Sequence, residues 1–360
     1  MSGPLRAGVI GVGFAGAAHV EAIGRTALAE VVAIAAGSDA SAHAAAARLG
    51  VPHAYGDWRE LVADPAIDVV HVCTPNDLHA PVGLAALAAE RHLIMEKPLA
   101  ADVDGARALA AAAAASRQVS VLCHNYREYP MVARAAELVR AGAIGTVHQV
   151  HGHYLQDGLC APRAGAWRLD PARNGASITF ADIGTHWCDL AAHLLGERIE
   201  AVCAQLGSLR GAGGEDHVGV LLRFAGGAIG TIVASQVSPG SKNGLAIQLD
   251  GSEGSLRWEQ QAPEDLWLGR AAGPMELHRK TADELQGAAG PLAHLPAGHP
   301  EGYGSTFANL FRAAYRRILG TPLPGDEQVA TIAEGLRLVR VIDAVRASAQ
   351  ARAWVEIEPG

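Results

Sequence analysis

The chain has 360 residues, 49% hydrophobic, 18% charged and 5% aromatic, with a formal net charge of -8 and a pI near 6.0. That length suits two domains of ordinary size with a core of Ala, Val, Leu and Ile, and the acidic balance excludes a protein that lives on nucleic acid, which needs a basic face. The five scattered cysteines (Cys73, Cys123, Cys160, Cys188, Cys203) form no CxxC pair, nothing before the first strand reads as a leader, and no apolar run nears the ~20 residues of a bilayer span; reduced thiols, no membrane partner and a cytoplasmic location are expected.

In chain order, Leu5 to Ile10 is an apolar strand that ends in Gly11, and Ala15 to Thr26 reads as a helix. Val31 to Ala35 is a second strand, followed by an alanine-rich helix that stops at Leu49 and Gly50. Asp57 to Ala63 is a short helix, Asp68 to Cys73 a strand, Leu78 to Ala89 a helix and His92 to Met95 a strand. Asp102 caps a helix to Ser116, and Val119 to Cys123 closes the series. Strands that are apolar throughout and alternate with helices predict an α/β, doubly wound parallel sheet over residues 1–123.

Residues 124–360 read differently. A helix over Met131 to Ala141 leads through Gly142 and Gly145 into a strand over Thr146 to Leu155, and a Gly, Pro and Arg-rich loop spans 158–176. Strand-like runs follow at Ala201–Leu206, Val218–Phe224, Ala228–Val237, Leu245–Leu249 and Ser255–Glu259. Their short linkers cannot hold crossover helices, so this α+β domain should have an open, largely antiparallel sheet. Phe307 to Leu319 and Gln328 to Ala347 read as amphipathic helices, and Ala353 to Ile357 as a last strand.

Three segments carry chemistry. Gly11-Val12-Gly13-Phe14-Ala15-Gly16 lies between the first strand and the first helix, where backbone amides at Gly11, Gly13, Phe14, Ala15 and Gly16 can approach a pyrophosphate. The acid that usually holds the ribose hydroxyls of NAD is missing at Ala36; Asp39 comes late, and no Arg or Lys between 31 and 47 could hold the 2′-phosphate of NADP. Ser38 could serve either, so NAD or NADP is expected with a lean to NAD. Lys97, in Glu96-Lys97-Pro98 after the fifth strand, points at the ligand crevice and could bond a substrate oxygen. Asp182 and His186, four apart, would share one helix face, an acid at a substrate hydroxyl and an imidazole to take its proton. Taken alone, Asp182 could as well be a helix cap and His186 a core histidine. Asp189 and His193 do not extend this pair into a metal site, so no metal is expected. Of the three strand histidines, alternation sets His151 and His153 on one face and His148 on the other, so one of them could line a pocket.

These segments together, with Thr74-Pro75-Asn76-Asp77-Leu78-His79, His124-Asn125-Tyr126-Arg127 and Asp182-Ile183-Gly184-Thr185-His186, make the chain resemble the glucose–fructose oxidoreductase and inositol dehydrogenase family, Gfo/Idh/MocA. The resemblance implies an N-terminal Rossmann domain (1–123) and a C-terminal α+β domain (124–360) whose open sheet mediates homodimers or homotetramers. It implies a small polyhydroxylated substrate, a sugar, glycoside or inositol, oxidised at a secondary alcohol by a catalytic set of Lys97, Asp182 and His186. Thr74, Asn76, His79 and Glu96 would lie along the cofactor. Tyr154-Leu155-Gln156-Asp157 resembles a subgroup acting on anhydrosugars, although Gly158 stands where that subgroup has Trp. Tyr126, Arg127, Gln156, Asp157 and Trp167 are the candidate contacts to a ring. A cofactor-binding sensor and a nicotinamide-assisted glycoside hydrolase are the rival readings; His299-Pro300-Glu301-Gly302-Tyr303 also matches the subgroup, with no role assigned.

Overall fold

The computed structural model describes residues 3–161, 167–211, 214–281 and 285–358, so the middle of the expected 158–176 loop, at 162–166, lies outside the described residues. The chain begins with β1 (Leu5–Ile10), α1 (Phe14–Gly24), β2 (Ala29–Ala35), α2 (Asp39–Leu49), β3 (His53–Tyr55) and α3 (Trp58–Ala63). Next come β4 (Val69–Val72), α4 (His79–Ala88), β5 (His92–Met95), α5 (Val103–Ala115) and β6 (Ser120–Leu122). After them follow α6 (Pro130–Arg140), β7 (Val147–Leu155), the single turn α7 (Pro171–Asn174) and a π-helical turn, Phe180–Gly184, that runs into α8 (Thr185–Leu195). Then come β8 (Ile199–Gly207), β9 (His217–Phe224), β10 (Ile229–Ser235), β11 (Gly244–Gly251), β12 (Gly254–Glu259), β13 (Asp265–Arg270) and β14 (Glu276–Arg279). The last elements are α9 (Tyr303–Leu319), α10 (Ile332–Ala351) and β15 (Val355–Glu356).

The chain divides into two compact units, one of Met1–Glu128, Ala172–Gly175 and Tyr303–Leu336, the other of Tyr129–Pro171, Ala176–Gly302 and Arg337–Gly360. In the first, six parallel strands run in the order β3-β2-β1-β4-β5-β6. Asp102 accepts the Gly105 amide at 2.7 Å and so caps α5. Gly50 ends α2 in the left-handed conformation, φ 70°. Phe307, Phe311 and Tyr315 of α9 join Leu5, Val9, Ile23 and Ile94 in one buried cluster. The stretch from Tyr303 thus returns to the unit that begins the chain.

The second unit holds a nine-stranded sheet in the order β14-β13-β12-β11-β7-β10-β9-β8-β15, antiparallel throughout except where β7 and β10 run parallel. A parallel pair needs a long connection, and the chain between them contains α8, β8 and β9. One sheet face is buried through Val150, Tyr154, Ile232, Ala234, Leu245, Ile247 and Trp258, and α8 packs on β7 and β11 while α6 packs on β12 and β13. The Trp187 indole of α8 donates to the Ala246 carbonyl at 3.0 Å across a gap left by Gly152, where a Cβ would fall 2.0 Å from that oxygen. The opposite face carries exposed Leu221, Ile229 and Val233, with Thr231 in register with Leu221 and His151.

Candidate active site

In the first unit the glycine loop is built so that only glycine fits. Gly11 has φ +97°, and a Cβ there would lie 2.3 Å from the Cys73 carbonyl oxygen; one at Gly16 would lie 1.9 Å from the Gly11 oxygen. Gly13 faces open space, and no side chain caps the N-terminus of α1. The amides of the first turn are therefore presented to a ligand, with Phe14 exposed and Ala15 behind it. At the end of β4, the Thr74 hydroxyl is shielded from solvent without a hydrogen-bond partner. An orphan donor beside an open glycine cradle fits a dinucleotide. Ser38 is engaged differently, since it forms a reciprocal cap with Ser41 at the start of α2.

Asn76 donates to the carbonyl and the side-chain oxygen of Asn174, at 2.9 and 3.0 Å. His79 is buried with its two ring nitrogens 2.7 Å from the Pro98 carbonyl and 3.0 Å from the Thr74 carbonyl, and a neutral ring donates to one of them. Burial lowers its basicity, against the pull of those carbonyls and of Glu96. Glu96 itself is buried at the end of β5. Burial alone would raise its carboxyl, but the hydrogen bond from His19 and the charge of Lys97 outweigh it, so it is held below its ordinary range.

Behind Glu96 runs a chain of hydrogen bonds: Tyr315 hydroxyl to His71 (2.7 Å), His71 to His19 (3.0 Å) and His19 to Glu96 (3.1 Å). The ionised Glu96 carboxylate accepts from His19 at the end of this chain. His19, Glu96 and Cys123 present ligand-type atoms within 4.8 Å of one another, and the hydrogen bonds account for this cluster without an ion. The other Glu96 oxygen accepts the Lys97 amide at 3.1 Å, and Lys97 is partly exposed at a cis peptide bond to Pro98. Tyr126 is buried, with its ring 6.2 Å from that of Tyr303. Arg127 is buried too and donates to Glu334 (3.0 Å) and the Gln328 carbonyl (3.2 Å).

In the second unit, the π turn places Asp182 and His186 on successive turns as one chain enters α8. Glu215 holds the start of this segment by accepting the Ser177 hydroxyl (2.6 Å) and the amides of Ile178 (2.7 Å) and Phe180 (3.3 Å). Gly184 is required, because a Cβ there would lie 2.3 Å from the Phe180 ring. Asp182 accepts from the Gln236 amide at 2.9 Å, and its other oxygen lies 3.9 Å from the Arg168 guanidinium. His186 is buried with its ring 6.2 Å from that of Tyr154. Gln156 donates to Asn243 at 2.7 Å, as does the Tyr154 hydroxyl at 2.8 Å. Asp157 pairs with Lys242, which lowers its carboxyl below the ordinary range, and the Arg168 guanidinium stacks 4.7 Å over Trp167.

Each unit thus gathers its own set: the glycine loop, Thr74, Asn76, His79, Glu96, Lys97, Tyr126 and Arg127 in one, Gln156, Asp157, Trp167, Asp182 and His186 in the other. His151 and His153 do not join the second set. They lie on the open sheet face, in register with Thr231 and Val233, and His151 faces Asp250 at 3.2 Å. Sequence reasoning missed Gln236, Asn243 and Glu215, and the His19–His71–Tyr315 chain. The available signal for Gln236 was an amide side chain near the end of the mostly apolar run Ala228–Val237.

Residues 5–126 match the model of the oxidoreductase family with an NAD-binding Rossmann fold, and residues 132–257 match that of the GFO/IDH/MocA C-terminal domain. Levoglucosan dehydrogenase of Pseudarthrobacter phenanthrenivorans is 31% identical over 98% of both chains. A structure of levoglucosan dehydrogenase in complex with NADH and levoglucosan is similar with a TM-score of 0.90 and 29% identity over 99% of each chain. An inositol dehydrogenase homolog from Azotobacter vinelandii, complexed with NAD+, gives 0.90 and 27% over 99% of this chain and 98% of that one.

Proposed function

The chain belongs to the Gfo/Idh/MocA family and is an NAD-dependent oxidoreductase of CH–OH groups, and from that premise we propose that it oxidises a secondary ring hydroxyl of an anhydrosugar or a related cyclic polyol. The observation that carries this reading is the pair on the π turn, Asp182 with a buried amide donor on one carboxylate oxygen and His186 one turn later. A carboxylate fixed in that way is an acceptor aimed at a hydroxyl, and a neighbouring imidazole can take the hydroxyl proton as the carbon is oxidised. NAD, when bound, supplies the hydride acceptor. Lys97 donates a hydrogen bond to a substrate oxygen and relays a proton, while the glycine loop amides and the Thr74 hydroxyl bind the dinucleotide.

Gln156, Asp157 and Trp167 contact the ring, with Trp167 as the stacking platform in the absence of an aromatic at 158. Arg127, committed to Glu334, supports the Asn125–Glu128 turn. The exposed apolar residues Leu221, Ile229 and Val233 form the face through which the chain self-associates, and the enzyme works in the cytoplasm. End-to-end similarity to a levoglucosan dehydrogenase favours the dehydrogenase over a sensor or a hydrolase. Nicotinamide absorbance with NAD and with NADP, against levoglucosan, myo-inositol, glucose and a glycoside, tests the proposal. Reduction of NAD by levoglucosan or a cyclitol is expected, and release of an aglycone without net reduction would favour the hydrolase.

A further inference from the structure

Gln236 follows β10 and is 7% exposed. A primary amide has two N–H donors and one carbonyl acceptor, and here all three are used. The nitrogen lies 2.9 Å from the Asp182 carboxylate and 3.2 Å from the Gln156 side-chain oxygen, and the carbonyl accepts the Thr179 hydroxyl at 3.0 Å. The orientation is fixed at both ends. A rotated amide would set its carbonyl against an acceptor-only carboxylate.

Beyond Gln156 the same direction continues, since the Gln156 nitrogen donates to Asn243, which also accepts the Tyr154 hydroxyl. The bonds therefore diverge from Gln236, one branch ending on Asp182 and the other passing through Gln156 to Asn243. Arg168 approaches the other carboxylate oxygen only to 3.9 Å, and its side chain is 50% exposed, so solvent screens that interaction. Of these two, the part-buried, charge-assisted bond from Gln236 is the stronger and bears on the orientation of the carboxylate.

We propose that Gln236 is a positioning residue for this reaction: it holds Asp182 in the orientation in which the carboxylate receives the substrate hydroxyl, and it ties that orientation to Gln156. The inference rests on the assignment of Asp182 made above. Gln236 touches no reacting atom, and its effect on the chemical step passes through Asp182.

The test is a cycle of Q236L and D182A, with Q236M as a second removal of the amide, read by oxidation of levoglucosan with NAD and by crystal structures of the folded variants. Q236L is expected to lower kcat about tenfold or more while KM changes less than about threefold, and to cost less than about threefold in the D182A background. In Q236L crystals the Asp182 carboxylate should leave its present orientation. Equal losses in both backgrounds, or an Asp182 unmoved in Q236L or Q236M crystals, would overturn the inference. Full activity of D182A would overturn the assignment of Asp182 and the inference with it.

Discussion

His71 and His79 are buried, and burial is the leading cause that pushes both below the ordinary imidazole value of 6.5. A folded pKa below the unfolded one means that the unfolded chain takes up more protons as acid is added. Their contribution to stability is present above about pH 6.5 and is lost as pH falls towards the folded values. Asp68 and Glu96 have lowered carboxyls, so what they contribute is lost only in more acid solution. Calorimetric melting should therefore show Tm falling between about pH 7 and pH 5, before any carboxylate is involved. A flat Tm across that window would contradict the lowered basicity of buried His71 and His79. Lys97, Asp182 and His186 were nominated from the sequence through short motifs with the right neighbours, and their roles remain part of the proposal. Gln236 and the His19–His71 pair were not, because their partners are 54 and 52 residues away in the chain.

Most elements could be read from sequence because their punctuation is local: Asp57 and Asp102 at helix starts, Gly50 after α2, Pro130 opening α6. Three strands were missed. β3 is only three residues long, and β13 and β14 carry charged ends that blur a short alternation in which Leu266 and Leu268 are buried. The π turn left no trace in residue spacing, since what widens it is packing, with Gly184 against the Phe180 ring. Gly184→Ala is thus expected to disturb the helix that carries His186, lowering kcat more than it lowers Tm. Gly152→Ala should act the other way. Its Cβ would meet Ala246 and the Trp187 indole, 2.0 and 2.7 Å away, and overpacking of this kind costs about 1–3 kcal/mol. Thermal melts and initial rates on the two variants check both statements, and a G152A protein with native Tm would show that α8 does not lean on that gap.

At the scale of the whole molecule, the chain holds a parallel six-stranded sheet and a mixed nine-stranded one, and composition with strand patterning foretold both. The open face of the larger sheet is the expected site of self-association, so Ile229→Arg should shift native-sized oligomers to smaller species in light scattering, without loss of secondary structure. A variant that keeps the native mass would remove that face from the interface. The central claim is that Lys97, Asp182 and His186 serve one reaction. The most direct test is NAD reduction by levoglucosan and myo-inositol, measured for the native enzyme, K97M, H186N and the double variant. Native turnover is predicted, with losses of about 10²–10⁴ in each single variant and little further loss in the double. Native-like rates in either single variant, or independent losses that multiply in the double, would contradict it.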